Sequence, residues 1–318
     1  MSHQLIDQLN QYLHSKQRDF LLQGGYCHGL TLLWLHVMSQ KHESWFYQTV
    51  ESILSCKNDF SEIENDVEKF IAHIEWLQHS SHYEYAVNQL DVSELTGLNL
   101  DGSLSFLMRP AVIDLLIKCA VQENKYICLS SHDHSVGVVW RDGIIYLFDV
   151  NFSDLKPKAF RNNDDLKYAL VKSLYRRDYL PDVKLPLHMN VLSCQPHTDN
   201  KVSEMYHYLI EGRDDLDAPG FERMTNLYLA CERGDEKMVQ DLLRRNVDPN
   251  KHVKTWMPLH VAAAHGHQSI VKALIKFGAI TGAKTDHGLT PKDLAEAYHH
   301  DDVVKLLGCH GDHSAGIG

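Results

Sequence analysis

Residues 256–279 read WMPLHVAAAHGHQSIVKALIKFGA, and this stretch decides how the C-terminal third folds. Its parts recur on both sides: NLYLACERG (226–234), PLHVAAAHG (258–266) and PKDLAEAYH (291–299) align with one another. Ala230, Ala262 and Ala295 stand 32 and 33 residues apart, Gly234 and Gly266 stand 32 apart, and Leu242-Leu243, Leu274-Ile275 and Leu306-Leu307 recur every 32. A fixed period of that size marks a repeat array in which neighbours bury each other's apolar faces. Small alanines let a first helix pack closely on its partner. The glycine ends that helix in a tight turn. The Leu/Ile pair fills the core between repeats, and the Met257-Pro258 and Thr290-Pro291 steps put proline where a helix start has no donor to lose.

The period and pattern resemble ankyrin repeats, and about three are expected over 223–310. The resemblance implies an all-α array with a protein-binding surface at its hairpin tips: Lys251, His252, Lys254 and Trp256 in one, Lys284, Thr285 and Asp286 in the next. Trp256 also suits a structural role. Leu242, Asp248 and Asn250 fit a Leu-x5-Asp-x-Asn spacing similar to the target of the asparaginyl hydroxylase that acts on ankyrin domains, with Pro249 in place of the usual Val or Ile. Against hydroxylation at Asn250 stands a simpler reading, in which its side chain closes the β-turn. His265, His267, His299 and His300 fall in repeat turns and are expected to be solvated.

The whole chain has 318 residues, long enough for two cores. Lys and Arg number 31 against 42 Asp and Glu, a net charge of −11, which argues against direct nucleic-acid binding and against anionic membrane surfaces. The 22 histidines outnumber that net charge, so mild acid should erode it. Seven cysteines (Cys27, Cys56, Cys119, Cys128, Cys194, Cys231, Cys309) form no CxxC and no even framework, which fits a reducing compartment. All except Cys27 read as core or incidental. MSHQLIDQLNQYL has neither the basic start nor the apolar run of a Sec signal, and no segment approaches the ~20 apolar residues of a membrane span. A soluble protein is expected. The closing residues 311–318 read as a tail without a domain-ending signal, leaving room for a longer chain.

Residues 195–222 read as a linker holding one short helix at 201–211, between turn-rich QPHTDNK and acidic EGRDDLDAPG. Residues 1–194 are then a separate domain. Apolar spacing predicts helices over 3–16 and 29–39, one or two within 44–80, and another at 110–121. Strands follow at YICLSS (126–131), HSVGVVW (134–140) and GIIYLFDV (143–150), the last two joined by an Asp-Gly turn. Helices first and an antiparallel sheet second make an α+β layout.

Cys27 lies in LLQGGYCHGLTLLWL (21–35), after two glycines and at the start of an apolar helix. A helix N-terminus favours a thiolate, the reactive form of cysteine. Its backbone N–H could also steady an oxyanion. A nucleophile needs a base. His134 opens one strand and Asp149 ends the next, and with Arg141–Gly143 at the turn the strand positions pair at a sum near 283, which sets the two opposite each other. That is a base beside an orienting carboxylate. His132, two residues away, is the rival base. His132, Asp133 and His134 could be read as a metal cluster, but no second group with ligand spacing accompanies them, and neither metal nor cofactor is expected.

Cysteine, histidine and aspartate in this order and setting resemble the papain-like arrangement. GGYCHGLTLLWL, HSVGVVW and YLFDVNFSD are similar to the three motifs of the YopT-type cysteine protease effectors, with Val150 where that family has Pro and Ser153 where it has Gly. The resemblance spans about 20–155. It implies a papain-like fold, Cys27 as nucleophile, His134 as general base then acid, Asp149 as orienter, and Gln23 as oxyanion residue although its spacing is short. A protease-like domain ahead of ankyrin repeats also resembles the ankyrin effectors of Legionella, which implies non-Sec delivery into a host cell and a host protein as substrate or partner. Peptidase, deamidase and transglutaminase all pass through the same thioester. The alternative is an inactive protease-like scaffold whose repeats bind a protein.

Overall fold

The computed structural model describes residues 2–18, 26–56, 59–78, 98–109, 113, 117, 122, 124–131, 134–176, 184–194, 201–211, 216–220 and 223–311. The chain forms two compact units, one of Met1–Ser103, Pro110–Pro181 and Met189–Met205, the other of Leu104–Arg109, Asp182–His188 and Tyr206–Gly318. It is a mixed α/β protein with antiparallel strands and C-terminal helical repeats.

The first unit begins with α1 (Ser2–Ser15), α2 (Tyr26–Ser39), α3 (Glu43–Ser55) and α4 (Glu64–Gln78). In α1, Leu5, Leu9, Tyr12 and Leu13 recur at helical spacing and are buried. Helix α2 differs. From Gly29 to Met38 every residue but His36 is buried, so this helix runs through the core with no solvent face. It packs on α4 and on the sheet strands β2 and β3.

The strands are β1 (Asn99–Met108), β2 (Lys125–Ser130), β3 (Ser135–Arg141), β4 (Ile144–Phe148), β5 (Lys158–Phe160) and β6 (Leu185–Ser193), in the spatial order β1-β6-β2-β3-β4-β5. The pairs β2/β3, β3/β4 and β4/β5 are antiparallel. Between β3 and β4, Asp142 (φ 53°) and Gly143 (φ 73°) both take positive φ, the geometry of a two-residue type I′ turn. Helix α5 (Asn163–Tyr175) follows β5, its first turn capped by Asn162, which accepts from the Asp165 N–H at 2.8 Å. Strands β1, β5 and β6 and helix α5 were not anticipated from the sequence. Of the helix expected at 110–121, only Ile113 and Ile117 are described, both helical and buried.

The core joins helices to sheet through aromatic rings. Trp34 of α2 stacks on Phe148 of β4, with centroids 4.9 Å apart and planes 8° from parallel. Phe46 meets Phe148 edge-on at 5.9 Å. Trp34 donates to the Tyr47 hydroxyl at 2.9 Å. Gly137 of β3 lies under the same indole: a Cβ there would stand 2.8 Å from Trp34 Cε3. The buried Lys125–Asp101 ion pair, with Ser193 donating to Asp101 at 2.8 Å, ties β2, β1 and β6 together.

The second unit carries α6 (Lys201–Ile210), which begins in the first unit, and three helix pairs: α7 (Asn226–Arg233) with α8 (Glu236–Arg244), α9 (Pro258–Ala264) with α10 (Gln268–Lys276), and α11 (Pro291–Ala297) with α12 (Asp301–Gly311). Ala230, Ala262 and Ala295 are fully buried, as are Leu242 and Leu274. Gly234 and Gly266 take φ 73°, and the third repeat places His299 (φ 62°) at the equivalent left-handed position. A Cβ on Gly266 would strike the His300 ring at 2.5 Å. The first repeat is closed on its outer side by backbone: the Ser105 N–H donates to the Asp235 carboxylate at 3.2 Å and the Leu107 N–H to Asn226 Oδ1 at 2.8 Å.

Two of the turn histidines are not solvated. His267 Nε2 faces the Glu232 carbonyl at 3.4 Å and His300 Nε2 the Ala264 carbonyl at 3.0 Å, so each hydrogen-bonds the preceding repeat. Burial, and then the neighbouring His265, push the His267 pKa down to about 4. The unfolded chain takes up that proton near pH 6.5 and the folded chain does not, so this group costs stability as pH falls from about 6.5 toward 4. Thermal melts at stepped pH should show the loss, and His267→Gln should reduce it. In the first unit, Gly137→Ala should cost about 1–3 kcal/mol in urea unfolding, because the Trp34 ring must leave Phe148 to make room.

Candidate active site

Cys27 is the second residue of α2, partly exposed at the helix start. His134 immediately precedes β3 and is buried, at 4% exposure. Its carbonyl accepts from the Ser131 N–H at 2.8 Å, which closes the β2–β3 turn and fixes where the ring emerges. Asp149 immediately follows β4 and is 3% exposed. The three meet: His134 Nε2 lies 2.7 Å from Asp149 Oδ1, and the ring hydrogen-bonds the Cys27 side chain. With Nε2 taken by the carboxylate, Nδ1 is the nitrogen left for the thiol.

The expected pairing that brought His134 to Asp149 is corrected. The turn has two residues, Arg141 pairs with Ile144 and Gly137 with Phe148, so this register continued points His134 at Asn151. The histidine reaches Asp149 along a diagonal instead, a neighbour that a side chain of this length can span. Asp-Gly as a two-residue type I′ loop was the signal that would have set the register correctly.

The electrostatics follow from this packing. Burial disfavours the imidazolium, but hydrogen bonds to Asp149 and Cys27, with their charges, outweigh it and push the His134 pKa up to about 9. Burial likewise disfavours the Asp149 carboxylate. The bond and charge of His134, the Asn151 N–H at 2.8 Å and the Ser173 hydroxyl reverse that and hold its pKa below the usual carboxylate range.

Several supporting residues escaped the sequence reading. Ser173 reaches Asp149 from α5. His28, next to Cys27, places Nδ1 3.1 Å from Ser135 Oγ, which lies 2.8 Å from Ser130 Oγ. Thr31 donates to the Ser135 carbonyl at 3.2 Å. These bonds fasten the first turn of α2 to the start of β3, and so set the spacing between Cys27 and His134. The signal was available: His28 and Thr31 stand one and four residues after Cys27 on one helix, and Ser135 follows His134. Val150, where the similar motif has proline, is buried in the core, and Ser153 is exposed. Gln23, His132, Asp133 and Cys119 lie outside the described residues. Cys128 and Cys231 are buried, while Cys194 and Cys309 are exposed.

At the repeat tips, His252, Lys254, Lys284 and Asp286 are exposed and Trp256 is half-buried. Lys251 is engaged within the fold, donating to the Asp217 carbonyl at 2.7 Å. Thr285 is buried, its N–H bonded to the Leu289 carbonyl, and presents no surface to a partner. Asn250 does not close its own turn. Asp248 does that, accepting from the Asn250 N–H at 2.8 Å. The Asn250 carboxamide reaches the next repeat, donating to the Gly278 carbonyl at 3.0 Å and accepting from the Ile280 N–H at 2.9 Å.

Asp149→Ala should lower stability at pH 7 by about 3 kcal/mol in urea unfolding, because it strips the buried imidazolium of its partner. The raised pKa of His134 means its contribution is complete below about pH 6.5 and is lost as pH rises through 9. The difference between the wild type and this variant should therefore narrow above pH 9.

Comparison with known proteins identifies one family model and several relatives. Residues 227–315 match the family described as ankyrin repeats (3 copies). The chain is 24% identical over 243 residues to the tyrosine-protein kinase HTK16 of Hydra vulgaris, covering 65% of this chain and 30% of the kinase. It is 26% identical over 133 residues to mouse protein phosphatase 1 regulatory subunit 27, covering 42% of this chain and 86% of that protein. It is 37% identical over 70 residues to human ankyrin repeat and SOCS box protein 9, covering 22% of this chain and 24% of that one. Among the described residues no helix is long and apolar enough to cross a membrane. The C-terminal region is thus built of ankyrin repeats, an architecture that points to protein–protein interaction.

Proposed function

We propose that this protein is a papain-like thiol enzyme acting on a protein amide, with the chemistry in residues 1–194, a linker at 195–222, and the ankyrin repeats of 223–310 recruiting the substrate or partner. The observation that carries the reading is the buried His134, bonded on one side to Asp149 at 2.7 Å and on the other to a partly exposed Cys27 at a helix start. The chemistry is as follows. The Cys27 sulfur attacks the amide carbonyl carbon, and the α2 N-terminus faces the charge that forms on oxygen. His134, carrying the proton, gives it to the departing nitrogen as the C–N bond breaks. A thioester remains. Water then loses a proton to His134 and attacks the thioester, releasing acid and thiol. An amine in place of water would give transfer, and a glutamine side chain as substrate would release ammonia. Asp149 keeps the ring oriented throughout.

Recruitment through a second unit raises the local substrate concentration without demanding a deep catalytic cleft. The mouse relative is by name a phosphatase regulatory subunit, which supports a protein as the thing bound. His252, Lys254, Trp256, Lys284 and Asp286 are the tip residues that would meet it. The motif resemblance supports delivery into a host cell and a host protein as target.

The test is alkylation of Cys27 by iodoacetamide at pH 7, followed by peptide mass spectrometry. Iodoacetamide reacts with the thiolate, and His134 is the base that hydrogen-bonds the Cys27 side chain. Labelling of Cys27 should therefore slow at least about fivefold in His134→Ala. Cys27→Ser should leave the melting temperature nearly unchanged. Equal labelling in wild type and His134→Ala would overturn the enzyme reading in favour of a scaffold whose repeats alone carry function.

A further inference from the structure

Asn151 stands beside the His134–Asp149 pair without a place in the scheme above. Its backbone N–H donates to Asp149 Oδ1 at 2.8 Å, and its amide tip lies 3.2 Å from His134 Nε2, nitrogen nearest. His134 and Asp149 are almost wholly buried, whereas Asn151 is exposed, so it covers their hydrogen bond on the solvent side.

That amide rotamer sets two donors against each other. Nε2 faces an ionised carboxylate at 2.7 Å, so Nε2 carries the proton and cannot accept another. An amide's nitrogen and oxygen exchange places by a half-turn of the plane, and the surrounding network decides which faces in. Here the network demands the oxygen. The two rotamers also have opposite chemical consequences. An oxygen toward Nε2 favours the neutral tautomer with Nε2–H, which leaves the Nδ1 lone pair facing Cys27. An N–H toward Nε2 favours the other tautomer, whose Nδ1–H cannot take a proton from the thiol.

We propose that Asn151 is a second positioning residue for His134: its side-chain oxygen accepts from the same Nε2–H as Asp149, fixes the tautomer and holds the ring in line with Cys27. This deepens the triad reading and rests on it. Among the described residues, the titratable groups that act on the ring are Asp149, from the end of β4, and Cys27, from α2. Asn151 is neutral and adds direction without charge.

Substitution isolates the side chain, because every variant keeps the backbone N–H that bonds Asp149. The experiment is nitrogen-15 NMR titration of the histidine rings in the full chain, with the His134 signal identified by its absence in His134→Ala. Melting temperatures check that each variant folds, and Cys27 alkylation rates are measured alongside. Removing an acceptor from the imidazolium in Asn151→Ala should lower the His134 midpoint by roughly 0.5–1 pH unit and increase the share of Nδ1–H tautomer in the neutral ring. Cys27 alkylation at pH 7 should slow about two- to fivefold, the melting point holding within about 2 °C. Asn151→Asp restores an oxygen and adds charge, and should bring the midpoint back to or above that of the wild type.

An unchanged midpoint in Asn151→Ala would overturn the proposal. So would a raised midpoint, the result expected if the amide had presented its N–H. If the midpoint falls in Asn151→Ala while His134→Ala leaves Cys27 alkylation untouched, the triad reading is what fails, and Asn151 is then only a histidine's neighbour.

Discussion

The face-to-face contact between Trp34 and Phe148 is the joint on which the first unit depends. Trp34 belongs to the helix that begins with Cys27. Phe148 is the last residue of the strand that delivers Asp149. Stacking the two rings fixes the helix that carries the sulfur to the strand that delivers the carboxylate, and Gly137 permits it by offering no side chain beneath the indole. Around this joint the helix is buried over its whole circumference, so it has no alternative docking face. The polar bonds of His28, Thr31 and Ser135 then act as fine adjustment on a geometry that packing has already set.

Burial and hydrogen bonding pull against each other at the three-residue centre. Removing His134 and Asp149 from water penalises both charges. The 2.7 Å bond between them, with donors from Asn151 and Ser173, more than offsets that penalty. The outcome is an imidazolium that keeps its proton well above neutral pH, next to a partly exposed cysteine. His267, half-buried in a repeat turn, shows the contrary result: burial, and then the neighbouring His265, push its pKa down.

The repeats were legible in the sequence because periodicity survives any local substitution: Ala230, Ala262 and Ala295 declare themselves by spacing alone. The hairpin was legible through Asp142-Gly143, and the sequence motifs brought Cys27, His134 and Asp149 together. Centring the turn one residue too early gave a false reason for a contact that exists by another route. Strand β6 was missed because LPLHMNVLS is buried from end to end, so it lacks the alternation that reveals a half-exposed strand. Ser173 was missed because it reaches Asp149 from a distant helix, and no local pattern in the sequence records so long a connection. Of the turn histidines, His267 and His300 were misjudged because a histidine in a loop looks polar until the carbonyl it meets, a full repeat earlier, is known.

The outer side of the first repeat has a further consequence. Solenoids need their ends closed, and here the closing N–H groups come from Ser105 and Leu107, more than a hundred residues upstream of the Asp235 and Asn226 side chains that receive them. The chain also passes between its two compact units more than once. A gene fragment encoding the repeats alone would therefore release a solenoid with an open end, one Asp235 carboxylate oxygen and the Asn226 amide oxygen deprived of the N–H donors they now accept from. The array is built to be finished by its own upstream chain and, unlike a free-standing cassette, is poorly suited to transfer by simple recombination.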